Sequence, residues 1–131
     1  MPILTKKWND PVDPADGLRV LITRYRPRAL PKSDETWDIW HASLGPSPEL
    51  HAAFYAKGQA PISWQQYQVT YKSEMRARKE LIEELARRVL AGETLTLLCS
   101  SACNRESRCH RSLLKEMIQA AVERLTQPAL A

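Results

Sequence analysis

The chain has 131 residues, 44% hydrophobic and 26% charged, and 19 Lys and Arg against 15 Asp and Glu give a formal net charge of +4. These are ordinary globular proportions at the size of one domain, residues 1–131, which needs neither a disulfide nor a metal to fold. The mild basic excess permits an anionic partner without demanding one, and no run of about eighteen apolar residues offers a membrane span. Three cysteines, Cys99, Cys103 and Cys109, crowd into one short segment, and their odd number argues against a disulfide framework. Residues 1–10 lack the apolar core of a secretory signal, so a reducing cytoplasm is the expected compartment.

In chain order, Ile3 to Trp8 suits a short strand, ended by Asn9-Asp10-Pro11, and residues 13–17 read as a turn. Leu18 to Tyr25 is rich in Leu, Ile and Val and reads as a strand covered on both faces. The prolines between Arg26 and Lys32 make the next stretch a loop. Ser47-Pro48 is a helix start, with Leu50 and Phe54 on one face and Gly58 as its stop. A long helix is predicted from Ser63 to Gly92. Ser63 and Gln66 have capping-box spacing, Ile62 and Tyr67 suit a hydrophobic staple, and Trp64, Tyr67, Tyr71, Met75, Ile82, Leu85 and Val89 keep helical spacing. Thr94 to Cys99 is a second strand, residues 100–107 a polar loop. A last helix carries Leu113, Leu114, Met117, Ile118, Ala121, Val122 and Leu125 on one stripe before Pro128.

Strands separated by helices predict an α/β fold: one compact domain on a mainly parallel sheet flanked by helices. In such sheets ligands sit beyond the C-terminal ends of the strands. Two loops leave strands in that sense, one after Tyr25 and one after Cys99.

The second loop runs Cys99-Ser-Ser-Ala-Cys103-Asn-Arg105-Glu-Ser-Arg108-Cys109-His110-Arg111, from a strand end into a helix start. Backbone N–H groups at a helix start favour an anion and a thiolate. Cys109 is the better-placed thiol, His110 can move a proton or orient a substrate, and Arg111 can clamp a carboxylate or phosphate. Cys99, Cys103, Cys109 and His110 also supply the ligand count of a zinc site. That reading is disfavoured, because adjacent Cys109 and His110 would strain to face one ion. Cys99 and Arg105 have Cys-x5-Arg phosphatase spacing, but the loop lacks the glycines that let backbone wrap a phosphate. Cys99 alone reads as a small core residue. The first loop and its strand hold Arg19, Arg24, Arg26, Arg28 and Lys32. Either these converge on an anion, or they pair with Asp34, Glu35 or Asp38 on the surface. Trp37, Trp40, Phe54 and Trp64 read as core, and His41 and His51 as surface residues.

The stretch from Asp16 to Leu30, Asp-Gly-Leu-Arg-Val-Leu-Ile-Thr-Arg-Tyr-Arg-Pro-Arg-Ala-Leu, resembles the opening motif of the family of unknown function numbered 488, in its YeaO-like branch. Asp38-Ile39-Trp40, Pro46 to Leu50, Trp64, Tyr71, Glu74 and Leu95 to Cys99 continue the resemblance, which covers roughly Ile3 to Leu125. That branch usually has Asp at Thr23, Trp at Arg26 and Gly at Ala29. Cys109-His110-Arg111 is similar to the Cys-His-Arg ending of the wider family. The resemblance implies a compact α/β fold and a cytosolic bacterial or archaeal protein. It supplies no reaction and supports no zinc site, since Cys103 falls outside the pattern and Cys109 is absent from the YeaO-like branch.

The function expected is binding of a small anion, a phosphate, nucleotide or carboxylate, with enzymatic activity left open. Arg24, Arg28 and Arg111 are the anion-binding candidates, His110 the acid/base or orienting group, and Cys109 a nucleophile or bystander. No metal and no cofactor is expected. The alternatives are a protein-interaction or regulatory module docking through the long helix, and a nucleic-acid-associated binder.

Overall fold

A computed structural model describes residues 3–54, 62–100 and 108–126. The strands among them are β1 (Ile3–Lys7), β2 (Leu18–Leu21), β3 (Ile39–Trp40) and β4 (Leu95–Cys99), and the α-helices are α1 (Pro48–Phe54), α2 (Trp64–Arg76), α3 (Lys79–Leu90) and α4 (His110–Thr126). The strands form one sheet in the order β1-β4-β2-β3, every pair parallel. Ile3 lies opposite Leu95 and Lys7 opposite Cys99, while on the other side Leu18 lies opposite Leu95 and Leu21 opposite Leu98. The expected α/β fold on a parallel sheet is therefore the one observed.

β4 is central, and all five of its side chains are buried. Successive strand residues face opposite sides of a sheet. Leu95 and Leu97 join Ile3, Val20 and Ile22 in a core that takes side chains from all four helices. The alternate residues Arg19, Leu21, Thr96 and Leu98 are buried as well. Loops hold the polar pair among them: Arg19 Nε donates to the Thr36 carbonyl (2.6 Å), its guanidinium pairs with Asp16, and Thr96 Oγ1 donates to the Asp16 carbonyl (2.7 Å). Burying Arg19 and Asp16 is tolerable because each charge meets the other. Gly17 is required beside them: its φ is +63°, and a Cβ there would stand 2.3 Å from the Thr94 carbonyl oxygen.

The capping box at Ser63 is present, with the Gln66 N–H donating to Ser63 Oγ (3.1 Å) and Gln66 Oε1 accepting from the Ser63 N–H (3.4 Å). The single helix predicted from Ser63 to Gly92 is instead two. The Ala77 and Arg78 N–H groups donate three residues back, to the Glu74 and Met75 carbonyls, which tightens and ends α2. The buried stripe Tyr67, Tyr71, Met75 meets Arg78 and Lys79 where its next apolar residue should fall, and resumes at Ile82. With nothing apolar to bury at that turn, packing gives no reason for a straight helix. β2 is shorter than the expected Leu18–Tyr25, although the Ile22 N–H still reaches the Leu98 carbonyl (3.0 Å). β3 was not foreseen, being two residues long. The stops expected at Gly58 and Pro128, and residues 101–107, lie outside the described residues.

Candidate functional site

Because every pairing is parallel, the four strand ends open on one edge. β2 and β4 are neighbours, so the two loops singled out in the sequence meet there. They share the walls of a cavity of about 320 Å³, lined by Thr23 to Arg28 after β2, Cys99 and Ser100 at the end of β4, and His110 at the start of α4. Trp8 follows β1 into the same wall, its N–H donating to the Cys99 carbonyl (2.9 Å), and Pro46, His51 and Tyr67 close the far side.

The wall is cationic. Arg24 donates through Nε to the Pro46 carbonyl (2.8 Å) and through Nη2 to the Gly45 carbonyl (3.3 Å). These contacts fix the guanidinium without neutralising it. Arg26 is ion-paired with Glu35 (2.8 Å) and lies 5.7 Å from the Trp37 ring centroid. Arg28 is exposed, and among the described residues neither it nor Arg24 has a carboxylate at ion-pair distance. No acidic side chain among the described residues lines the cavity. Burial lowers the pKa of His51 below the usual histidine value, so its ring, edge-to-face on Tyr25 at 5.6 Å, adds no charge at neutral pH.

The turn that carries Arg24's acceptors is itself pinned. A Cβ on Gly45 would come within 2.5 Å of the Arg24 backbone nitrogen, so glycine allows the close approach. The Ser47 N–H donates to Glu74 Oε1 (2.9 Å) and its hydroxyl donates to the same carboxylate. Ser47 Oγ also accepts from the Leu50 N–H (3.1 Å), capping α1. Glu74 of α2 thus ties α1, the 45–47 turn and, through them, Arg24 into one unit.

His110 is buried in the opposite wall. Its Nε2 lies 2.8 Å from the Ile22 carbonyl oxygen. A carbonyl only accepts, so Nε2 carries the hydrogen and Nδ1 is the basic nitrogen of the neutral ring. Nδ1 lies 3.8 Å from Cys109 Sγ, and Cys109 Sγ lies 3.1 Å from Cys99 Sγ. The three donor atoms all fall within 4.8 Å of one another. The ring also packs edge-on against Tyr71 (5.6 Å), whose hydroxyl donates to the Leu44 carbonyl (2.7 Å). Burial pushes the Tyr71 phenol well above the usual tyrosine range, so it is a neutral donor.

Of the residues named from sequence, Arg24, Arg28 and His110 share the cavity wall. Cys109 is buried behind Cys99, which is the thiol on the wall. Arg111 is 6% exposed, stands outside the wall, and its Nε has no hydrogen-bond partner among the described residues. Cys109 precedes the first residue of α4, and its Sγ stands 3.8 Å from Nδ1 of the adjacent His110. Cys103 and Arg105 lie outside the described residues. Cys99 and His51 are among the wall residues that sequence reading does not place there. Cys99 was assigned to the core, and it is both core and wall. His51 reads as a surface residue because it stands on α1 in no motif, far along the chain from Tyr25; the tertiary fold alone brings the two rings together.

The DUF488-N3a family model, described as the active DUF488-N3 subclade, matches residues 3–122, a span that includes both loops and most of α4. The chain belongs to the DUF488 family. It is 31% identical over 101 residues to the uncharacterised protein YeaO of Escherichia coli, covering 77% of this chain and 84% of that protein. It is 27% identical over 107 residues to the uncharacterised protein Rv3073c of Mycobacterium tuberculosis, covering 82% and 85%. No solved structure matches. No helix among the described residues is long and apolar enough to cross a membrane.

Proposed function

We propose that this DUF488 protein binds a small anion, a phosphate, nucleotide phosphate or carboxylate, in the cavity at the C-terminal edge of its sheet. The observation that carries the reading is that, among the described residues, Arg24 and Arg28 have no carboxylate at ion-pair distance and none lines the cavity. A guanidinium held by backbone carbonyls is already oriented, so little side-chain entropy is lost when a ligand arrives. His110 lines the same cavity, and its Nε2 bond to the Ile22 carbonyl holds the ring in place beside a bound anion. The description of the matched subclade as active fits a site that turns over rather than one that has decayed. The buried thiols fit the reducing cytoplasm expected from the sequence.

The test is a thermal-shift panel of phosphate, sulfate, nucleotides and small carboxylates on the wild type and Arg28→Ala. Arg28 is exposed, so its removal leaves the fold intact. A ligand at about 100 times its Kd adds about 2.7 kcal/mol, which raises Tm by roughly 5–10 °C in a chain of this size. A rise that shrinks in Arg28→Ala supports the reading. No rise with any anion refutes it.

A further inference from the structure

We propose that Cys99, Cys109 and His110 form a binding site for a thiophilic divalent cation of the Zn²⁺ class. The site stands on these three side chains and does not depend on the anion reading.

The donor set comes first. Two thiolates and one neutral imidazole are the soft ligands that select zinc over magnesium or calcium. All three are buried, on the end of the central strand and the start of α4, so rigid elements hold them. Their spacing is close to what the ion needs. Sulfur and nitrogen ligands of tetrahedral zinc, at about 2.3 and 2.1 Å from the metal, stand about 3.6 Å apart, and two sulfurs about 3.8 Å apart. Cys109 Sγ and His110 Nδ1 are separated by 3.8 Å, and the two sulfurs by 3.1 Å. Seating the ion requires the thiol pair to open by about 0.7 Å, and the Cys99–His110 pair, whose donor atoms lie within 4.8 Å, to close by up to about 1.2 Å.

The second observation is independent of the cysteines. A metal-bound histidine donates its other ring N–H to a carbonyl or carboxylate, which sets the tautomer and aims the ligating nitrogen. His110 makes that bond, Nε2 to the Ile22 carbonyl, and Nδ1 is the nitrogen turned to the sulfurs. Charge agrees: two buried thiolates would be costly alone, and a divalent cation offsets both. Cys99 and His110 belong to the cavity wall, so the site opens toward the cavity with three protein ligands, the ligand count of catalytic rather than structural zinc.

The experiment uses the full chain carrying Cys103→Ser, reduced and in phosphate-free buffer, titrated with Co²⁺. The expected result is one equivalent bound, with a thiolate-to-cobalt charge-transfer band and intense tetrahedral visible bands, both abolished by Zn²⁺. Cys109→Ser should weaken binding by at least about 100-fold, since losing even an outer partner of a ligand costs about 10–100-fold. Should that variant fail to fold, the Cys103→Ser titration decides alone. No charge-transfer band there overturns the site, as does a band that survives in Cys99→Ser/Cys109→Ser. A thiol pair that purifies oxidised and takes no cobalt after reduction overturns it too. Metal binding without an anion-induced thermal shift would sink the anion reading and leave this site standing.

Discussion

The Nε2 of His110 donates to the carbonyl of Ile22, a residue 88 positions earlier in the chain, at 2.8 Å. This bond joins the start of α4 to the exit of β2 and sets the ring's tautomer in the cavity wall. It is buried, so its loss leaves an acceptor without water.

His110→Phe keeps a ring against Tyr71 and removes the donor. An unsatisfied buried carbonyl costs about 1–3 kcal/mol. Urea unfolding should show a midpoint lowered to match, with an unchanged slope. A stability equal to that of the wild type would mean that the bond does not hold α4 to β2.

Asp16 gives the protein an acid-sensitive contact. Burial alone would raise its carboxyl, but hydrogen bonds from Lys6, the Asp13 backbone and Arg19 outweigh it and hold the pKa below the usual aspartate value. A lowered carboxylate stabilises the fold above the unfolded pKa of about 3.9, and the benefit disappears as pH falls through the folded value. Asp16→Asn should therefore cost about 3 kcal/mol at pH 7, where Arg19 is left buried without its counter-ion. The gap between variant and wild type should narrow below about pH 4. Urea midpoints at neutral and acid pH check this, and a gap independent of pH would rule the linkage out.

Gly45→Ala forces a methyl to within 2.5 Å of the Arg24 backbone nitrogen. Neither neighbour is a flexible side-chain tip, so the turn must move, at about 1–3 kcal/mol. The Arg24 guanidinium loses its carbonyl supports with that movement. The variant should show a lower Tm and a smaller anion-induced shift together. An unchanged ligand response would uncouple the turn from the cavity.

Glu35→Gln frees the Arg26 guanidinium from its counter-ion at the cavity mouth. Partly exposed pairs of this kind are worth about 0.2–1 kcal/mol, so stability should barely change. Anion affinity should rise by up to roughly fivefold at low salt and lose that gain as salt is added. Titration calorimetry at two ionic strengths measures both effects.

The sheet was legible because its main strands carry local signals: the apolar runs of β2 and β4 each need neighbours on both sides. The capping box at Ser63 was equally local, two side chains three residues apart. The break between α2 and α3 hid in a stripe whose spacing continues across Arg78 and Lys79, and no proline or glycine marks it. β3 has two residues and owes its pairing to β2, so no periodicity could show it. At the site, the sequence identified both loops but not their contents. Arg24 and His110 reach the cavity wall while Arg111 and Cys109 do not, a difference of direction that helix phase and neighbour packing decide. The closeness of Cys99 to Cys109 depends on where β4 ends relative to α4, across ten positions of sequence.

The strand order also governs how this chain must be made. Among the described residues, β1 pairs with β4 alone, and β4 is the last strand of the sheet in chain order. Until residue 99 has left the ribosome, Ile3–Lys7 has no partner in the sheet, and β2 has β3 on one side and nothing on the other. Folding therefore waits on long-range pairings, which makes it slow for the chain's size. The nascent protein meanwhile displays an unpaired strand to its neighbours. Lys6 and Lys7 on that strand are the charges that discourage edge-to-edge association during the wait.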